Sequence, residues 1–246
     1  MKKKILIIGA NSAIAKHCSK IWAERGDDLY LVARNEERLQ KLILELNYIN
    51  SSQIYFYYMD LNDLSGHSKM LDAAEAVLTN IDIILIAHGT LSDQKNCEQN
   101  VDNTILEIKT NALSVVSLLT LIANRFEKKK SGTVAVLSSV AGDRGRASNY
   151  VYGSAKAMIT EFMSGLRQRL HKSNISVITI KPGLVDTPMT AQFEKGFLWT
   201  EPATVAKKIV HAIDNKKEEL YVPAFWWIVM KIIRTIPNTI FKRLNF

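Results

Sequence analysis

KILIIGANSAIA, Lys4 to Ala15, is an apolar run that ends on a glycine and passes through Asn11 and Ser12 into a segment of helical spacing. Ile5 to Ile8 carry no polar interruption, which suits a strand covered on both faces. A loop turning straight from such a strand into a helix leaves the first N–H groups of the helix, and the positive end of its dipole, free to meet an anion. Phosphate is therefore expected over Gly9, Asn11, Ser12 and Ile14.

The same unit recurs along the chain. Further runs rich in Ile, Val and Leu lie at 28–33, 53–58, 81–87, 132–138, 175–180 and 219–223, and helical spacing fills the segments between them, as at 13–25, 36–46 and 155–171. Strand and helix in alternation imply parallel strands joined by right-handed crossovers. The expected fold class is α/β: one doubly wound parallel sheet of about seven strands with helices on both faces, spanning residues 1–223. A ligand should then sit beyond the carboxyl ends of the strands. The residues that fall there are Gly9 and Ala10, Arg34, Asp60, His88 and Gly89, Ser139, and Pro182 with Gly183.

Composition narrows the function. A chain of 246 residues, 47% hydrophobic and 23% charged, can build one large core, and no repeat or linker-like run divides it. Cys18 and Cys97 fit neither a CxxC pair nor a zinc spacing, so a reduced, cytoplasmic setting without a metal is expected. The net charge of +8 is dispersed, with no basic helix interleaved with stacking aromatics, which argues against nucleic acid. An anionic cofactor and an anionic membrane surface account for it. No uninterrupted apolar run reaches the roughly 18–20 residues of a spanning helix.

Chemistry is concentrated in YGSAK. Tyr152 and Lys156 stand four residues apart, and Ser139 lies thirteen positions before the tyrosine. On a helix the phenol and the ammonium share a face. A cation roughly 4–5 Å away, at an effective dielectric of about 20, favours the phenolate by roughly 3–4 kcal/mol. Such a tyrosine can protonate a carbonyl oxygen as it is reduced. Lys156 is accordingly expected to lower the phenol toward working pH.

With these residues in this order, the chain resembles the short-chain dehydrogenase/reductase family from Lys4 to about Pro223. The resemblance rests on GANSAIA (Gly9 to Ala15), the Asp60–Leu61 pair, Asn111 in KTNALS, Ser139, Tyr152 with Lys156, and PGLVDT (Pro182 to Thr187). Two positions depart from the family pattern: Ala13 and Ala15 replace glycines, and His88 stands in AHG where a smaller residue is usual. The resemblance implies a Rossmann-like sheet, a nicotinamide dinucleotide and reduction of a ketone. It implies that Ser139 polarises the carbonyl, Tyr152 donates the proton, Lys156 binds the nicotinamide ribose, and Asn111 holds a helix kink and a water. Asp60 and Leu61 would meet the adenine, and Ala87, His88, Gly89, Pro182, Gly183, Val185 and Thr187 would complete the cofactor wall. His88 is given no catalytic role, and Asp60 has an equal claim to be a turn residue.

Arg34 bears on which dinucleotide binds. The second strand ends in LVARNEERL, without the carboxylate that would accept from a ribose 2′-hydroxyl. Arg34 can pair a 2′-phosphate through its planar fork, so NADP(H) is preferred and NAD(H) is the alternative. The stretch MTAQFEKGFLWT reads as a lid, whose Phe193, Phe197 and Trp199 either line an apolar pocket or anchor the segment.

The tail, residues 224–246, is an amphipathic extension and not a domain of its own. Trp226, Trp227, Lys231, Arg234, Lys242 and Arg243 suit an in-plane helix on an anionic cytoplasmic leaflet, or else a contact between subunits of a homodimer or homotetramer. GANSAIA, AHG followed by Thr and Leu, and the basic tail are similar to reductases of polyprenyl-phosphate-linked keto-sugars used for cell-envelope polysaccharide. That likeness implies a lipid-linked carbonyl substrate. A different small apolar carbonyl, or a non-catalytic cofactor-binding role, stands as the alternative.

Overall fold

Residues 2–49 and 52–244 are described by a computed structural model of the chain. Seven parallel strands form one sheet: β1 (Lys4–Ile8), β2 (Asp28–Ala33), β3 (Ile54–Tyr58), β4 (Ile83–Ile86), β5 (Gly132–Leu137), β6 (Ile175–Pro182) and β7 (Glu219–Val222). Their spatial order is β3-β2-β1-β4-β5-β6-β7. The order reverses between β1 and β4, which opens a crevice at their carboxyl ends.

Why the strands are apolar throughout follows from the pleat. Ile5 and Ile7 point to one face with Leu29, Leu31, Ile83, Leu85, Ile178 and Ile180. There they meet α1 (Ala13–Glu24), α2 (Glu36–Asn47) and α8 (Pro202–Asp214) through Trp22, Leu42 and Ile209. Leu6 and Ile8 point to the other face with Tyr30, Val32, Ile84, Val134 and Val136, beneath α3 (His67–Leu78), α6 (Ser114–Lys129) and α7 (Tyr150–Leu170). Two cores thus share one sheet, and β1 to β6 feed both.

Two short helices, α4 (Gln94–Gln99) and α5 (Val101–Ile108), lead into a π-helical turn at Lys109–Leu113. The helical run Val101–Lys129 is long and apolar enough to cross a membrane by length and composition. Its inner face, including Leu118, Leu119 and Ile122, lies in the second core. Helix α7 begins at Tyr150, five residues before the boundary its spacing predicts. Asn149 precedes it, a residue type common at helix starts, though its side chain makes no capping bond.

The tail forms α9 (Trp226–Thr235) and α10 (Asn238–Phe241), separated at Pro237. Its inner face is docked rather than free: Trp226 and Met230 are buried against Val140, with Leu184, Tyr221 and Ile233 around them. Arg144 completes the attachment. Its guanidinium donates to the carbonyls of Ile233 at 2.5 Å and Ile236 at 2.7 Å, satisfying the open end of α9, and stacks 3.8 Å from the Phe241 ring centroid. The outer face stays apolar and open at Trp227, Ile228 and Ile232.

Candidate active site

A cavity of about 760 Å³ runs along the carboxyl edge of the sheet. Strand order provides a ruler for it. From β2 to β6 the edge crosses four strand spacings, roughly 19 Å at about 4.8 Å each. Arg34 and Asp60 mark one end, and Ser139, Tyr152, Lys156 and Gly183 the other.

At the first end Asn35 caps α2, its Oδ1 accepting from Arg38 N at 2.8 Å. That turn brings Arg38 to the cavity beside Arg34, a second cation the sequence reading did not single out. Arg34 stands 3.5 Å from Asp60 in an exposed pair. Such a pair holds little energy and leaves the guanidinium free to meet a phosphate. Asp60 also accepts from Asn62 N at 3.0 Å, so it serves its own turn as well as facing the cavity. Leu61 is buried beneath it.

Above β1 the chain turns into α1 at Ser12, whose side chain makes no capping bond, and no acidic residue occupies the first helical turn. Asn11 donates to Asn35 O at 2.9 Å while its Oδ1 is buried without a partner. Asn11, Ser12 and Ile14 line the cavity as expected. Gly9 has φ +87°, and a Cβ there would stand 2.4 Å from His88 N. Only glycine admits this approach of the β4 end to the β1 loop. Ala13 and Ala15 occupy the other two loop positions, Ala13 in the cavity wall and Ala15 in the core. These features fit a dinucleotide: a helix N-terminus free for pyrophosphate, and two cations beyond.

His88 lies next, between β1 and β5. Its Nε2 is 2.8 Å from Ser114 Oγ, and its Nδ1 is buried without a partner. Burial pulls it down to about 3, with Lys156 and His67 adding, so the imidazole is neutral. Ala87 and Gly89 flank it in the wall.

At the far end four expected residues converge. Asn111 sits in the π-helical turn, fully buried, and donates to Glu107 O at 3.2 Å and Thr90 Oγ1 at 3.1 Å. The extra residue of a π turn bends a helix and releases a carbonyl, and the Asn111 amide takes up that of Glu107. A Cβ placed on Gly89 would stand 2.5 Å from Asn111 Oδ1 and 3.4 Å from Lys156 Nζ, so both face one spot. Ser138 and Ser139, adjacent in sequence, divide their work. Ser138 bonds Lys156 O and Thr160 within the fold, whereas the Ser139 Oγ accepts from Ala141 N at 3.1 Å and lines the cavity with Tyr152. Tyr150 points outward, 43% exposed.

Proton affinities correct one expectation. Burial pushes the Tyr152 phenol up to about 12; the Ser139 side chain opposes this and the Glu107 carboxylate adds to it. Burial pulls Lys156 down to about 8, against Glu107. Lys156 therefore does not lower the phenol here. Its Nζ bonds Leu137 O at 3.1 Å and lies 5.6 Å from the Tyr152 ring centroid, too far to outweigh the loss of water around a phenolate. The tyrosine holds its proton throughout the neutral range, which suits a donor.

Pro182, Gly183, Val185 and Thr187 follow β6 along the same wall. Behind them Lys181, 3% exposed, pairs with Asp143 at 2.9 Å and Glu219 at 2.6 Å, and Tyr221 donates to Asp143 at 2.7 Å. The lid opens with a 3-10 turn at Pro188–Thr190. Phe193 and Trp199 line the cavity, but Phe197 is 96% exposed and neither lines nor anchors. The tail contributes a wall that the sequence reading missed: the Trp226 indole lies against Gly183.

Residues 3–196 match the short chain dehydrogenase family model. The chain belongs to this family. An uncharacterized oxidoreductase of Mycobacterium tuberculosis is 30% identical over 240 residues, covering 98% of this chain and 96% of that one. Among solved structures the fold resembles levodione reductase (TM-score 0.82, 18% identity) and ElxO with NADP bound (TM-score 0.81, 21% identity), each over 90% of this chain and 97% of the other. The short-chain dehydrogenase here is thus an NAD(P)-dependent oxidoreductase with the expected seven-stranded sheet.

Proposed function

We propose that this chain is an NADPH-dependent reductase that turns a ketone into an alcohol with Tyr152 as general acid. The observation that carries the reading is the meeting of Ser139, a protonated Tyr152, Lys156 and Asn111 at one end of a dinucleotide-length cavity. The reduced nicotinamide, when bound, supplies the hydride to the carbonyl carbon. Ser139 donates a hydrogen bond to the carbonyl oxygen, and the Tyr152 hydroxyl gives it a proton. The Lys156 ammonium holds the nicotinamide ribose. Arg34 and Arg38 at the opposite end favour NADP(H), and the NADP-bound ElxO of similar fold supports that preference.

For the substrate, the reading is a polyprenyl-phosphate-linked keto-sugar presented at the cytoplasmic face of a membrane. Its support is the outer face of α9, where Trp227, Ile228 and Ile232 are exposed beside Lys231 and Arg234. Exposed Ile105, Leu106, Leu113 and Met158 support a separate contact between subunits of a homodimer or homotetramer. The test is purification without detergent, mass spectrometry of retained lipid, and turnover of the retained carbonyl with NADPH and with NADH. Recovery of a polyprenyl-phosphate sugar that NADPH reduces is expected. A retained fatty-acyl ketone, steroid or quinone would replace the keto-sugar, and cofactor binding with no carbonyl turnover would remove the reductase reading.

A further inference from the structure

Among the described residues six buried side-chain polar atoms have no hydrogen-bond partner, and five of the six belong to residues lining the cavity. Two, Asn11 Oδ1 and His88 Nδ1, lie over β1 and β4, on the dinucleotide path. The other three, Arg146 Nε, Asn149 Oδ1 and Trp226 Nε1, lie beyond Ser139 and Gly183. Arg146 and Asn149 belong to the loop between Ser139 and Tyr152, and Trp226 opens α9 against Gly183.

Arg146 is the unusual member. Burial acts on it with no carboxylate named in opposition, and no ion pair among the described residues includes it. Of the carboxylates that line the cavity, Asp60 faces Arg34 at the far end and Glu194 stands exposed on the lid. Arg146 is half-buried with its Nε shut off from water, and a buried donor left unpaired is costly unless a ligand supplies an acceptor. The orphaned indole N–H of Trp226, which lines the same cavity, can only donate. Two donors without acceptors, Arg146 Nε and Trp226 Nε1, suit an oxyanion, and the planar guanidinium fits a phosphate or carboxylate through two parallel bonds.

We propose that Arg146, with the Trp226 indole N–H, forms an anion subsite at the carbonyl end of the cavity, so that the substrate is a ketone carrying a phosphate ester. The inference rests on the reading above, that the dinucleotide occupies the Arg34-to-Lys156 span and leaves this end to the substrate. The shared chemistry is the phosphate ester, whether on a soluble metabolite or on a lipid.

Full-length protein saturated with NADP⁺, which fills the pyrophosphate site, would be titrated with phenyl phosphate against phenol and with farnesyl phosphate against farnesol. The phosphate-bearing probe should bind at least about tenfold tighter than its neutral counterpart, the size of one charge-assisted contact. Arg146→Gln should erase that ratio. Trp226→Phe, which keeps an aromatic side chain but lacks the indole N–H, should reduce it a few-fold. Unchanged NADP⁺ affinity in both variants shows that the fold is intact. A phosphate preference in the phenyl and farnesyl pairs alike assigns a soluble ester, and one confined to farnesyl assigns a lipid. Equal binding within both pairs, or a preference that survives Arg146→Gln, overturns the subsite. Failure of wild type to bind NADP⁺ at all would instead overturn the reductase reading.

Discussion

Gly183→Ala should detach the tail. A Cβ on Gly183 would lie 1.9 Å from Trp226 Nε1, 2.2 Å from Cε2 and 2.3 Å from Cδ1. These atoms belong to a rigid ring packed on Val140, not to the free end of a flexible chain. Its backbone lies outside the left-handed region, so the cost is steric alone. The ring must leave, or α9 must move against the Arg144 bonds that hold its other end. An aromatic side chain buries about 150–250 Å², so full expulsion would forfeit roughly 4–6 kcal/mol at about 25 cal/mol per Å². Partial relaxation brings the expected loss to about 2–4 kcal/mol. For a chain of this size that lowers Tm by roughly 4–16 °C. Thermal melts would measure it, together with a red shift of tryptophan emission and faster tryptic cleavage at Lys231 and Arg234. A variant with wild-type Tm, emission and cleavage would show that the indole does not occupy this position, and the tail wall of the cavity would go with it.

Other outcomes follow from the site itself. Tyr152→Phe should cut ketone reduction by about 10²–10⁴-fold, with NADPH affinity retained, in steady-state assays paired with fluorescence titration; turnover within a few-fold of wild type would remove Tyr152 from the chemistry. Arg34→Asp should shift preference toward NADH by about 2–4 kcal/mol, read as the ratio of kcat/KM for the two cofactors. No change in that ratio would leave Arg38 as the discriminating cation. Reduction should fall as pH rises through about 8, because Lys156 loses its charge there while Tyr152, near 12, keeps its proton. Glu107 favours the protonated form of both groups, and the neighbouring His88 is already neutral, so Glu107→Gln should move that basic limb to lower pH. A loss of rate with the limb unmoved would make Glu107 only a hydrogen-bond acceptor for Thr90 and Ser92.

Local pattern carries the sheet. Runs such as ILII and IILI announce strands covered on both sides, because neighbouring residues must enter different cores, and that requirement is written in consecutive letters. The order of residues beyond the strand ends locates the cavity for the same reason. The true start of α7 is marked only by Asn149, a residue as common in turns as at helix starts, and its side chain makes no capping bond. The proton affinity of Tyr152 depends on how much water the finished fold removes, and no spacing of Tyr and Lys contains that quantity. Arg146 and Trp226 acquire meaning only when the tail folds back on the loop after Ser139. Phe197 shows the opposite failure: its apolar side chain suggests a wall, but the lid turns it to the outside.

The ion pairs behind the cavity set its gauge. Lys181 immediately precedes Pro182 on one wall, and Asp143 follows Ser139 by four residues on the other, so a single buried ammonium clasps both jaws from outside the working space. Glu219 and Tyr221 bring the last strand into the same knot. The width of the opening is thus governed by charges that never meet the reactants. Loss of any one strand of the knot would loosen the grip before it loosened the fold, and evolution could recalibrate the mouth by editing residues that no substrate touches.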